Sequence, residues 1–120
     1  VKEENIILNK SYDFGIRILK LYLHLRKNKV DIGLCSQILN SGTSIGANVE
    51  EAVGGASRKD FINKLQTAYK ESRETRYWLR LLKDGKMIEK KLAESFIRDC
   101  EEIMRILTSI LNSSKGGKNS

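Results

Sequence analysis

Arg73, Arg76, Arg80 and Lys83 recur at spacings of three and four, which on an α-helix lines up four cations along one face. Such a row matches a polyanion, because contacts from Arg and Lys to phosphates give affinity without reading sequence. Tyr69, Tyr77 and Trp78 stand beside it and offer faces for base stacking, although aromatic side chains in a small helical domain equally serve core or interface. Glu71 and Glu74 lie within helical reach of some of these cations, so intrahelical ion pairing would weaken the field. Two readings stay open: contact with nucleic acid, RNA or DNA, or a solvated or intersubunit salt-bridge face. In a ring of subunits the stripe would repeat, turning a modest patch into a strong one.

Catalytic chemistry finds little footing. His24 has no Cys or carboxylate at ligand spacing, and Ser44 has no accompanying His or acid motif. Glu50 and Glu51, like Glu101 and Glu102, are adjacent, so on a helix they point about 100° apart and do not converge on one substrate. The Glu-x-x-His repeats of a bundle metal site are absent from the sequence, and no glycine-rich loop follows a strand. Cys35 and Cys100 cannot supply a tetrahedral zinc set and sit among apolar residues, the setting of free buried thiols in a reducing cytoplasm. The expectation is a non-enzymatic protein with no cofactor and no metal.

The elements that must position these residues are helices. None of the 120 residues is proline and nine are glycine, which argues against a turn-rich β architecture. Apolar periodicity marks segments 5–28, 32–53, 58–84 and 88–112, each roughly 30 to 40 Å long at ~1.5 Å per residue. Four matched helices predict an all-α, antiparallel (up-down) four-helix bundle in a single domain, 1–112, followed by a disordered tail, 113–120, with no apolar residue to bury. Gly42 and Gly46 fall on the packed stripe of the second helix with Cys35, Leu39, Val49 and Val53, where a close backbone approach would offset their cost of about 1 kcal/mol each. Ser57, three residues before Asp60 and just ahead of Phe61, reads as the cap that opens the third helix. Its seam is Phe61, Leu65, Ala68, Ser72, Thr75, Leu79 and Leu82, and Gly85 stops it as the residue that tolerates a left-handed cap. The last helix carries Ala93, Ile97, Cys100, Met104, Leu107 and Leu111.

The first helix carries two apolar stripes, Phe14, Ile18, Leu21, Leu25 and, roughly opposite, Tyr12, Ile16, Leu19, Leu23. A peripheral bundle helix buries one face, so the second stripe calls for cover from another subunit and hence a homo-oligomer. The competing reading puts this helix at the centre of its own bundle. A net charge of +7 suits an acidic partner. No apolar run approaches the ~18 residues of a membrane span, and the opening VKEENIILNK lacks an apolar h-region, so no membrane partner is expected.

Residues 41–82, SGTSIGANVEEAVGGASRKDFINKLQTAYKESRETRYWLRLL, resemble the large-subunit rRNA intervening-sequence proteins, a four-helix bundle family. The shared pattern is a small-residue helix ending in Asn48, Val49 and Glu51, a short linker, then Ser57 and Asp60 before Phe61; Ala52 and Gly55 stand where many members carry Gly and Arg. The resemblance implies a ring-like homopentamer. Some members are encoded within intervening sequences of ribosomal RNA genes, and a similar protein is the accessory factor of diversity-generating retroelements, which engages nucleic acid and a reverse transcriptase. The resemblance therefore implies RNA or DNA and a reverse transcriptase or other protein as partners. The favoured expectation is phosphate contact by Arg73, Arg76, Arg80 and Lys83, against a protein-interaction scaffold using the same charged face.

Overall fold

The computed structural model describes residues 2–55 and 57–116, all in or between four α-helices: α1 (Lys2–Lys27), α2 (Ile32–Val53), α3 (Arg58–Asp84) and α4 (Lys90–Gly116). Each helix packs on its neighbours in a closed cycle, α1 on α2, α2 on α3, α3 on α4 and α4 on α1, with no contact across the diagonals among the described residues. Contacts of α1 with α2 and with α4 run in opposite directions along the two helices. Ile18 meets Gly42 while Ser11 meets Gly46, and Arg17 reaches Asp99 while Lys10 reaches Glu102. An up-down bundle follows from those registers and the short connections at residues 28–31, 54–57 and 85–89.

The core forms where the apolar rows converge. α1 buries Ile7, Phe14, Ile18, Leu21 and Leu25, and α3 buries Leu65, Ala68, Ser72, Thr75, Leu79 and Leu82, as their spacing predicts, with Ile62 taking the place of a half-buried Phe61. On α2 the predicted row is corrected. Leu39, Gly46 and Val53 are half-buried, while Ile38, Ser41, Ile45 and Ala52 join Cys35, Gly42 and Val49 inside. A helix flanked by two neighbours buries a broad face rather than one row. For the same reason α4 adds Phe96, Ile103 and Ile110 to its core and leaves Ile97 half-buried. The buried hydroxyls of Ser72 and Thr75 bond back to the carbonyls of Tyr69 and Glu71, at 2.6 and 2.8 Å, so neither hydroxyl is stranded.

Glycine sets the α1–α2 distance. A Cβ at Gly42 would lie 2.7 to 2.9 Å from the Ile18 side chain, and one at Gly46 would lie 3.2 Å from the Ser11 carbonyl oxygen. At the fourth seam Phe14 and Phe96 meet edge to face, and the Arg17 guanidinium lies 4.0 Å over the Phe96 ring while bonding Asp99 and Ser95.

The helix ends follow local chemistry with two corrections. Asp31 caps α2 by accepting from the Gly33 and Leu34 amides, and Ser57 caps α3 by accepting from the Asp60 amide at 3.1 Å, as its spacing predicts. Gly85 is not the left-handed residue: its φ is −78°, and Lys86 takes the positive angle, 58°. Gly85 answers crowding instead, since a Cβ there would sit 2.8 Å from the Leu81 carbonyl oxygen. Lys29 does the same after α1, with φ 61°. In both loops the left-handed lysine bonds back to residue i−3 (Arg26 or Lys83), and the next amide bonds to the first carbonyl of the motif (Leu25 or Leu82). This is the Schellman closure, whose left-handed position glycine usually fills and where another L-residue costs roughly 1–2 kcal/mol. The predicted boundary at 112 also moves. Neither Pro nor Gly stands between Asn112 and Gly116, so α4 continues to Gly116 and Ser114 is buried; of the expected tail, residues 117–120 lie outside the described residues.

Both cysteines are free and buried, and burial pushes each thiol up, Cys100 to about 12. Cys100 donates to the Ser72 carbonyl at 3.1 Å.

Two outcomes are expected. Gly42→Ala lowers the melting temperature by the equivalent of about 1–2 kcal/mol, overpacking against a stiff, buried Ile18 outweighing the helix propensity gained, and adding Ile18→Val recovers part of the loss. Cys100 is protonated in the fold up to about pH 12 but ionises near the ordinary thiol value of 9.0 when unfolded, so its contribution is full below pH 9 and is lost as pH rises through 12. In thermal melts between pH 9 and 10.5, wild type should lose stability faster than Cys100→Ala, by up to about 1.4 kcal/mol per pH unit.

Candidate functional site

α3 is one unbroken α-helix from Arg58 to Asp84, so residues three and four apart stay on one face from Arg73 to Lys83. Arg73 and Arg80 are exposed and Lys83 is half-buried, and among the described residues none of the three has a carboxylate within 4.0 Å. Arg76 differs: half-buried, it pairs with Glu101 of α4 at 3.3 Å and so ties the two helices together. The predicted damping by Glu71 and Glu74 is not how the charge is spent. Glu74 instead accepts from the Trp78 indole at 3.5 Å, and the Glu71 carboxyl is pushed above its ordinary value by burial and by the charge of Glu74.

Arg73, Arg76 and Arg80 come together with Lys70, Glu74, Tyr69 and Tyr77 around a shallow groove of about 380 Å³, four cations against one carboxylate. Tyr77 is 52% exposed and stands edge-on to Trp78, ring centroids 5.2 Å apart, so one face is open for stacking while Tyr69 and Trp78 lean on the core. Lys83 does not line that groove; it faces a second hollow with Lys86 and Lys90 at the α3–α4 connection. Lys70 was missed from sequence, though its position three residues before Arg73 extends the row.

A second surface lies between α1 and α2. The outer α1 stripe is exposed, Tyr12 at 62% and Leu23 at 59%, with Ile16 and Leu19 between them, which removes the reading of α1 as a central helix. Beside it a groove of about 500 Å³ is lined by small Ser11, Gly15, Gly46 and Ala47 and apolar Leu8, Tyr12, Ile16 and Leu19. A Cβ at Gly15 would meet nothing within 4 Å, so this glycine holds the groove open rather than relieving a clash. Its sequence signal was a glycine in mid-helix between two apolar rows, a costly place unless space is needed.

The residues of the family pattern serve the fold. Asn48 donates to the Ser44 carbonyl at 2.8 Å, Glu51 pairs with Lys64 of α3 at 3.0 Å, Ser57 and Asp60 form the α3 cap, and Phe61 packs at the core edge beneath Arg58. The Ser44 hydroxyl is spent on the Asn40 carbonyl. Among the described residues no three His, Cys, Asp or Glu side chains are grouped to hold a metal ion, and no helix is long and apolar enough to cross a membrane.

No curated protein matches the chain. Among solved structures it is similar to a Bacteroides thetaiotaomicron protein of unknown function from the S23 ribosomal protein family, at 44% identity and a TM-score of 0.89, covering 92% of this chain and 98% of that one. The family described as the 23S rRNA-intervening sequence protein matches residues 3–109, nearly the whole bundle, and to that family the chain belongs.

Proposed function

We propose that this protein is a non-enzymatic homo-oligomer that binds RNA or DNA through sequence-tolerant phosphate contacts. The observation that carries the binding is the α3 row, where exposed Arg73 and Arg80 stand without a carboxylate partner beside an open tyrosine ring and half-buried Lys83, also unpaired, follows one turn on. Cations already paired within the fold would have to give up those partners; these three release only counterions on meeting phosphate. The observation behind assembly is the uncovered α1 stripe, Tyr12, Ile16, Leu19 and Leu23, which runs roughly 17 Å along the helix at ~1.5 Å per residue and borders an apolar groove. A ring of five is the number the family resemblance implies, and two buried free thiols suit a reducing cytoplasm.

A protein-interaction scaffold is the second reading, and Arg76 favours it: its charge already serves a helix–helix contact, as arginines at subunit or partner boundaries do.

Arg73 and Arg80 are the informative substitutions, since reversing Arg76 would also strain the α3–α4 seam. Arg73→Glu with Arg80→Glu should keep the oligomer while lowering affinity for a labelled RNA hairpin and making the log–log salt slope shallower by about 2, read by fluorescence anisotropy. Unchanged binding would favour the scaffold. Leu19→Glu should shift the particle to monomer by light scattering with its helical circular dichroism intact; a wild-type protein that is itself monomeric would defeat the assembly reading.

A further inference from the structure

We infer that the end of the bundle formed by the α1–α2 and α3–α4 connections is a second nucleic-acid surface, in which Lys29 and Lys86 present their ammonium groups to phosphates together with Lys27, Lys83, Lys90 and Lys91. This deepens the binding reading above and rests on it; it shares Lys83 with the α3 row and otherwise assigns different residues, at the end of the bundle.

Two independent observations lead there. The first is where charge is left unpaired. Because α1 and α3 run parallel, residues 26–31 and 83–91 close the same end, and they hold seven cations against Asp31, Asp84 and Glu89. That is four of the chain's seven net positive charges. Every ion pair among the described residues lies elsewhere: Lys10–Glu102, Arg17–Asp99 and Arg76–Glu101 along the sides, and Glu51–Lys64 near the α2–α3 connection. Of the seven cations only Arg26 is committed, to the Val30 carbonyl at 3.1 Å, and Asp31 is occupied capping α2. At the opposite end, the start of α1, residues 50–60 and the last turn of α4 hold five carboxylates against four cations, Lys2, Arg58, Lys59 and Lys115. The field is therefore axial, with its positive pole at this end.

The second observation is backbone strain. Lys29 and Lys86 are the only residues with positive φ among the described residues, and no glycine shares that conformation. Both occupy the left-handed position of a Schellman closure, where glycine costs nothing and lysine does. Val30 and Ile88 are buried beneath these loops, so the turns are held by packing and the two lysines are forced outward, exposed. Strain kept twice at symmetrical positions, with the same charged residue each time, points to a role for the side chain rather than the turn.

Nucleic acid fits this end better than a small anion would. Lys83, Lys86 and Lys90 share one hollow with Asp84, while Lys27 and Lys29 stand on the other connection, and at one charge per ~1.7 Å a duplex crossing the bundle's width of 22 by 21 Å places about a dozen phosphates over both. Lys83 follows Arg80 by one turn of α3, so the end continues the arginine row.

The test uses substitutions whose two effects have opposite sign. Lys29→Gly with Lys86→Gly should raise the melting temperature by relieving the left-handed strain, yet make the salt slope for a labelled RNA hairpin shallower by about 2. Lys90→Gln with Lys91→Gln, at the start of α4 and outside the arginine row, should lower the slope similarly without the gain in melting temperature. A glycine pair that is more stable and binds like wild type overturns the inference and makes these lysines structural. Wild type with no binding at low salt overturns the nucleic-acid reading itself, and this inference with it. Slope loss only in Arg73→Glu with Arg80→Glu leaves that reading standing and refutes this one alone.

Discussion

The seating of Ile18 over Gly42 governs how α1 joins the bundle. With the Ile18 side chain filling the space a Cβ would need, and the Ser11 backbone close over Gly46, α1 lies deep against α2 and turns Phe14, Ile18, Leu21 and Leu25 inward. A helix in a closed cycle of four has only one face to bury. Once that face is chosen, Tyr12, Ile16, Leu19 and Leu23 have nowhere to go but outward, and the same small residues that permit the close approach shape the groove beside them. Core packing and the outer apolar surface are thus two consequences of one contact.

The charges divide along similar lines. Where two helices need help closing, cations are consumed: Arg17 covers Phe96 and holds Asp99, Lys10 holds Glu102, and Arg76 holds Glu101. Half-exposed pairs of this kind contribute little each, about 0–1 kcal/mol, so their value lies in fixing register along seams already packed by apolar side chains. Elsewhere cations are left to solvent, on the outer face of α3 and at the end closed by Lys29 and Lys86. A protein whose basic residues only balanced its acids would not separate the two populations so cleanly.

The buried row of α3, the Ser57 cap and the double-faced character of α1 were legible in the sequence because each depends on residues within a turn or two of one another. The rows of α2 and α4 were read too narrowly: Ile38, Ile45, Ile103 and Ile110 are as buried as the residues at four-three spacing, since each helix meets two neighbours. Gly85 was the natural choice for a left-handed residue, yet the closure falls one residue later, where Ile88 can be tucked beneath the loop. Four cations of the α3 row were legible and Lys70 was missed, and Arg76 and Lys83 proved to have different surroundings from Arg73 and Arg80.

By itself, then, the sequence determined that the chain makes four long helices, where α2 and α3 start, and that α1 has more apolar surface than one bundle can cover, because periodicity, capping and the absence of proline act locally. Tertiary structure alone decided which cations remain free, which glycines relieve contact and which keep a groove open, and which lysines bear a left-handed backbone. Those outcomes depend on what the neighbouring helix places opposite each residue, at separations of up to 92 positions along the chain, as between Lys10 and Glu102. Local pattern carries no record of such a partner.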